Sequence, residues 1–458
     1  MLIVRPLVWL ALALTLLGAQ VACAIRSEPS TQGYPGNPVS AGAPPIPEHG
    51  TPTAVAPTPP PRRLPTLDRE PTVGVLLSDG PEVVFTLLRP ARASGQALAS
   101  GEYRASIGNG QVLVNGSPFG SAPLIIAQDD ASRPGFSATL TPPFGKPQRL
   151  QFAGTAVLAA SKRGVALIER LPLERYLAGV VGAEMTPTWP LEALKAQAIA
   201  ARSYAAARWM ARSELPWQLH WHYAVDMAYA GVPSKAQPQV VQAVAQTRGQ
   251  VLMYQNLPVP ALFHASSGGR TEAADNLWSG LKGADGRTVM TPVMPSVDDP
   301  AAEAGCAGLR QVATHWRWKS DIPMSQITRA LQGWSREAAD RPRFGVVTEV
   351  RPDQRFADSG RVQSLAITHK RDGRSRTDSM SAQAFRLAVS PLDIPSTWWD
   401  RCVTAKAKGG TLVLAGRGFG HGVGLSQVSA WQLAKQGVAA ARIVAVFYPG
   451  AVLSACYR

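Results

Sequence analysis

Cysteine is scarce in this chain: four in 458 residues, at positions 23, 306, 402 and 456. No pair has C-x-x-C spacing, which excludes a cysteine zinc knuckle. Charged residues are also few, at 17%, and they are unbalanced. Only 31 are acidic against 46 basic, giving a net charge of +15 and a pI near 10. That shortage of acid points to a polyanionic neighbour. No basic run is interleaved with aromatics, so the sequence argues against nucleic acid and leaves the anionic polymers and lipids of a cell envelope. The nucleotide-binding fingerprints are missing too. The stretch Gly416–Gln427, GRGFGHGVGLSQ, has five glycines, but Val423 breaks the G-x-G-x-x-G pattern begun by Gly418 and Gly420. No Lys-Ser/Thr pair completes a phosphate loop.

What is present begins with a leader. Residues 1–24, MLIVRPLVWLALALTLLGAQVACA, carry Arg5, an apolar stretch and a small-residue A-x-A ending at Ala24. This pattern reads as a secretory signal peptide and places the protein outside the cytoplasm, in a periplasmic or extracellular envelope setting. A second reading makes Cys23 a lipidated anchor; Gln20, where an aliphatic residue is usual, argues against it. Cleavage after Ala24 leaves three cysteines, so one disulfide and one free thiol are open in any of three pairings. Residues 25–70 are rich in Pro, Gly, Ser and Thr and read as a semi-extended tether.

The remainder reads as α+β. Short apolar runs separated by Gly, Pro, Asn and Asp make residues 71–170 β-rich. Residues 171–458 read as a mixed α/β catalytic region with a groove, and the pattern loosens at about 275–400. Pro172–Met185 and the segment after Thr188 are predicted helices, with Thr188 as N-cap of the second. Leu191, Leu194, Ala198, Ala201 and Ala205 fall on one face by 3,4 spacing.

Three segments carry candidate chemistry. Glu184 is an isolated carboxylate among Gly179, Val180, Val181, Gly182, Ala183, Met185 and Trp189. Desolvation would raise its pKa, as a general acid requires; a helix-end carboxylate in water is the plainer alternative. FHASSGGRTE, Phe263–Glu272, offers hydroxyls at a turn but no G-x-S-x-G elbow. His220, His222 and His264 are metal-ligating residue types. The glycine loop surrounds His421, either a ligand contact or a structural hydrogen-bonder at a tight strand-to-helix connection.

Taken in order, LPLERYLAGVVGAEMTPTWPLEALKAQAIAARSYA, FHASSGGRTE and GRGFGHGVGLSQVSAWQLAKQG with FYPG resemble the stage II sporulation protein D family, also called the amidase-enhancer family. The resemblance runs from about Thr72 to Arg458 and is strongest over Leu171–Tyr204 and Gly416–Gly450. It implies action on peptidoglycan glycan strands. One branch is a lytic transglycosylase of strands stripped of stem peptides, its catalytic acid being the glutamate of the AEM motif, here Glu184. The other branch stimulates an autolytic amidase without cleaving glycan. Some members hold zinc through cysteines and histidines. Here Ser267 stands where the zinc form has cysteine, and YAVDMAYAG offers none, which disfavours zinc and a zinc hydrolase built on His220, His222 and His264.

The resemblance also gives the glycines a task, letting backbone come close to a sugar. Lys195, Gln197, Arg202, Tyr204, Ser267, His421 and Gln427 become expected substrate contacts. Glu192 and Lys195, three apart, also fit a helix-surface ion pair. Asp226, Asp275 and Glu272 are available as second carboxylates, which a lytic transglycosylase does not require.

Overall fold

The computed structural model describes residues 69–457, apart from 129–132, 143–145, 234–236, 279–291 and 406–409. The expected leader, the tether and Cys23 lie outside the described residues, except that the tether's last two positions, 69 and 70, are described. The fold is α+β, with a β-rich N-terminal region followed by helices and short sheets.

Two sheets, of seven and six strands, build the first region. Strict alternation along Glu82–Leu87 buries Val83, Phe85 and Leu87 on one face. Asn109-Gly110 and Asn115-Gly116 both take positive φ and make two-residue turns on either side of Gln111–Val114. The first strand, Thr72–Gly80, pairs antiparallel with the last, Gly164–Pro172. This closure brings the start of the region to the start of the next helix, Leu173–Glu184. The Leu173 amide donates to the Pro71 carbonyl at 2.9 Å, and the Glu174 amide to Glu70 Oε1 at 2.7 Å. A carboxylate thus satisfies an orphan amide at the positive end of the helix.

The long helix spans Leu191–Ala211. Thr188 is not its cap: a turn from Thr186 to Trp189 leaves Thr188 exposed, and Pro190 occupies the cap position without a side-chain bond. The expected single apolar face is also too narrow. Every residue from Ala193 to Arg208 except Lys195 is buried. The alanines let the helix pass through the centre of the molecule. It touches the helices Leu173–Glu184, Pro238–Gln246, Gln427–Lys435 and Ala440–Phe447, and the strand Gln250–Tyr254.

A second hydrophobic core, around Trp318, Leu331, Leu365, Phe385, Trp399 and Leu414, is separate from the first. It is built by the strands Arg317–Pro323, Thr411–Arg417 and Trp399–Ala405, by the sheet Val346–Arg355, Val362–Arg371 and Arg374–Ser381, and by the helices Met324–Arg336 and Ala382–Val389. Its strand Thr411–Arg417 runs directly into the glycine loop. The expected disulfide is not formed. Cys306, Cys402 and Cys456 are all free, Cys402 packing on the second core and the other two in the first. Among the described residues no helix is long and apolar enough to cross a membrane.

Candidate active site

Glu184 is the last residue of the helix Leu173–Glu184 and is 1% exposed. Its neighbours Met185, Val180 and Val181 are fully buried. The loop after His222 crosses this helix end, and the Ala228 amide donates to Glu184 Oε1 at 2.7 Å. The other oxygen, Oε2, is buried without a hydrogen-bond partner. Burial pushes the carboxyl up to about 8, against the opposing pull of the Ala228 amide and the nearby Gln427 side chain. The negative end of the helix dipole acts in the same direction as burial. At neutral pH this group holds its proton.

Gln427 opens the helix Gln427–Lys435 and is 2% exposed. Its Nε2 donates to Oε1 of Gln197, from the middle of the long helix, at 3.3 Å. Glu184, Gln197 and Gln427 are therefore brought together from three helices. The phenols of Tyr176 and Tyr223 are close enough to be opposed in ionising by the Glu184 charge.

The glycine loop packs on the strand Phe263–His264 through a parallel pairing of Phe263 with Leu425 and His264 with Ser426. What the glycines approach is the protein itself. A Cβ at Gly424, φ +70°, would lie 2.0 Å from the Leu262 carbonyl oxygen, and one at Gly422, φ +86°, 2.5 Å from the Arg361 guanidinium. The loop also fixes two histidines in complementary states. His264 Nδ1 donates to the Val423 carbonyl at 3.0 Å, leaving Nε2 as a bare acceptor. His421 Nδ1 accepts the Val423 amide at 3.0 Å, leaving Nε2–H near the Phe263 carbonyl but without a well-formed hydrogen bond. Burial holds both rings neutral, His264 at about 3 and His421 well below the usual histidine range. Their ring centres are 5.5 Å apart, and Trp278 packs edge-on against His421 at 5.0 Å.

The other expected contacts sit elsewhere. Arg202 grips Glu174 through two nitrogens at 2.9 and 2.7 Å and also bonds to the carbonyls of Val244 and Gln250. The Tyr204 hydroxyl donates to Asp226 Oδ1 at 2.7 Å. Lys195 pairs with Glu192 at 2.6 Å, as their spacing suggests. The Ser267 hydroxyl donates to Asp299 Oδ2 at 2.6 Å, where the Ser429 hydroxyl also donates. Asp226 is held ionised by Arg212 and Arg208. Glu272 accepts from the Ala273 amide, Asn276 and Ser359. The bonds of Asp226 and Glu272 thus run to groups other than Glu184. Glu184, Gln197, Ser267, His264, His421 and Gln427 are all 2% exposed or less, so the expected groove is not an open surface at these side chains.

His220, His222 and His264 do not converge. Among the described residues no group of three or more His, Cys, Asp or Glu is placed to hold a metal ion. His222 spends Nδ1 on the Ala224 amide, and His264 spends its Nδ1 on Val423.

Several residues escaped the sequence reading. Glu169, on the strand Gly164–Pro172, is fully buried and pushed up to about 7 by burial, but the Tyr229 hydroxyl and the Gly154 amide satisfy it. Arg361 and Arg386, both fully buried, come from the second core's segment, where the sequence pattern was weakest. A signal existed for Arg386: with Ala382 and Phe385 it falls at i, i+3, i+4 on the buried face of its helix.

The stage II sporulation protein family model matches residues 161–254. A second model, described as a Domain of unknown function (DUF8618), matches residues 307–424, which cover most of the second core. The chain is 28% identical to Stage II sporulation protein D of Bacillus subtilis (strain 168), across 63% of this chain and 76% of that one. It is 26% identical to an uncharacterized protein of Brachyspira hyodysenteriae, across 66% of this chain and 72% of that one. It is also 26% identical to the Amidase enhancer of Bacillus subtilis (strain 168), across 61% of this chain but only 40% of the relative. Residues 161–254 thus carry a stage II sporulation protein domain, and the chain as a whole is similar to Stage II sporulation protein D and to the Amidase enhancer.

Proposed function

We propose that the protein is an exported cell-wall enzyme that cleaves stem-peptide-free glycan strands by lytic transglycosylation, with Glu184 as its one acid–base group. The observation that carries this reading is the state of Glu184. It is buried, protonated at neutral pH, held by one amide, and has a second oxygen free. Such a carboxyl donates its proton to the glycosidic oxygen between N-acetylmuramic acid and N-acetylglucosamine as an oxocarbenium-like centre forms. The carboxylate left behind takes the proton of the muramoyl C6 hydroxyl, which closes on C1 to give a 1,6-anhydro end. One carboxyl serves both steps and no water is consumed. The Nε2 atoms of Gln197, His264 and His421 provide donors and an acceptor for sugar hydroxyls. The net charge of +15 suits retention among anionic envelope polymers. Mass spectrometry of stem-stripped glycan after incubation with the protein tests the reaction.

A second reading follows from the likeness to the Amidase enhancer. On it, the same site binds glycan without cleaving it and the protein recruits or stimulates an amidase. Measuring amidase rate with and without the protein separates the two.

A further inference from the structure

Arg361 and Arg386 are both 0% exposed. Among the described residues neither forms an ion pair within 4 Å with any carboxylate. Each guanidinium keeps two nitrogens without a hydrogen-bond partner, and Arg361 also lies over the Trp398 ring at 5.3 Å and reaches the Arg270 carbonyl at 3.5 Å. Arg386 donates through Nε to the carbonyls of Ile394 and Pro395, at 2.8 and 3.1 Å, while Nη1 and Nη2 have no partner. Arg361 donates through Nη2 to the Ser267 carbonyl at 2.6 Å, while Nε and Nη1 have no partner. The two cations are near enough to repel one another, and both bear on His421. The closest counter-charge to Arg361 is Glu272, already engaged by Asn276, Ser359 and the Ala273 amide. On the Arg386 side stands Tyr223, whose phenol is also felt by Glu184. The glycine loop makes room for this arrangement, since any side chain at Gly422 would strike the Arg361 guanidinium.

Two buried, mutually repelling cations with unfilled donor edges are costly to fold. An anion with two oxygens relieves both at once, because a guanidinium fork fits a carboxylate. We propose that Arg361 and Arg386 form a carboxylate subsite behind the glycine loop, and that it takes the free 3-O-lactyl carboxylate of a muramoyl residue. This assignment rests on the glycan reading above. The lactyl ether is carried by the same sugar ring whose C1 Glu184 would act on. A stem peptide converts that carboxylate into an uncharged amide and extends it by a chain. The pair would then be the element that selects stripped glycan, and it is supplied by the second core rather than by the segment carrying Glu184.

Titration calorimetry of the intact protein tests this with three probes: N-acetylmuramic acid, N-acetylglucosamine and N-acetylmuramoyl-L-alanine amide, whose alanine carboxyl is blocked. The expected result is at least tenfold tighter binding of the free acid than of the other two. Arg386→Gln and Arg361→Gln, each checked by thermal melting, should remove that preference, and Arg386→Lys should restore part of it. Equal affinities in the wild type overturn the subsite even if the variants do not fold. A preference that survives in folded glutamine variants also overturns it. Inorganic phosphate competing as well as N-acetylmuramic acid would overturn the lactyl assignment. Glycan cleavage is read separately: its failure with the acid preference intact sinks the reaction and not the subsite.

Discussion

Gly424 lies against the Leu262 carbonyl so closely that a Cβ there would sit 2.0 Å from the oxygen. Gly437, at φ +82°, has the same left-handed backbone but nothing within 4 Å of its notional Cβ. The two glycines separate backbone strain from steric exclusion. Gly437→Ala should cost about 1–2 kcal/mol, the ordinary penalty of the left-handed region. Gly424→Ala should cost more than about 3 kcal/mol, because the Phe263–Leu425 pairing must shift as well. Denaturant unfolding of both variants checks this. Equal losses would mean that the loop has slack and does not fix His264 and His421.

Arg202 was expected at a sugar, and the structure places it on Glu174 inside the molecule. Truncating one partner of a buried pair strands the other. Arg202→Met should therefore lower stability by about 3–5 kcal/mol. The fraction that remains folded should bind glycan with wild-type affinity. Lost glycan affinity with an unchanged melting temperature would return Arg202 to the substrate.

The parts legible in the sequence were those with local signatures. The β-rich character of residues 71–170 followed from short apolar runs between Gly, Pro, Asn and Asp, and the helices on both sides of Trp189 from spacing. Glu184 stood out because its whole neighbourhood is apolar or small. The cap at Thr188 failed because a tertiary turn at Thr186–Trp189 took precedence over local capping preference. Arg202 was expected at a sugar from the resemblance alone, and no short window pairs it with Glu174, 28 residues earlier. Gln197 and Gln427, 230 residues apart, meet only through the packing of two helices. The Arg361–Arg386 pair had no local signature beyond the buried face of one short helix. Asp299 gathers serines from two other segments, a grouping that no short window contains.

Two buried carboxyls should leave a signature in stability against pH. Burial raises Glu169 to about 7 and Glu184 to about 8, both from 4.5. A raised folded-state pKa means that the folded protein holds the proton longer than the unfolded chain. The contribution is complete below about pH 4.5 and is lost as pH rises through about 7 for Glu169 and about 8 for Glu184. Glu184→Gln should flatten the decline up to about pH 8, and Glu169→Gln only up to about pH 7. Denaturant midpoints between about pH 4 and pH 9 read both slopes. A Glu184→Gln curve parallel to wild type would mean that this carboxyl is ionised in the folded protein. Glu169→Gln should leave glycan turnover within a few-fold of wild type, since the glutamine oxygen still accepts from the Gly154 amide while its NH2 group can donate to the Tyr229 hydroxyl.

The most direct measurement compares wild type with Glu184→Gln on stem-stripped glycan, with products identified by mass spectrometry. The substitution keeps the shape of the side chain and an oxygen for the Ala228 amide but removes the transferable proton. Wild type should release fragments with 1,6-anhydromuramoyl ends and no newly reducing muramic acid. Turnover by the variant should fall by at least about 10²–10⁴-fold while glycan binding persists. Reducing ends from the wild type would mean that water is the acceptor and a second carboxylate takes part. A wild type that binds glycan, releases nothing, and accelerates an added amidase equally well with glutamate or glutamine at position 184 would contradict the account.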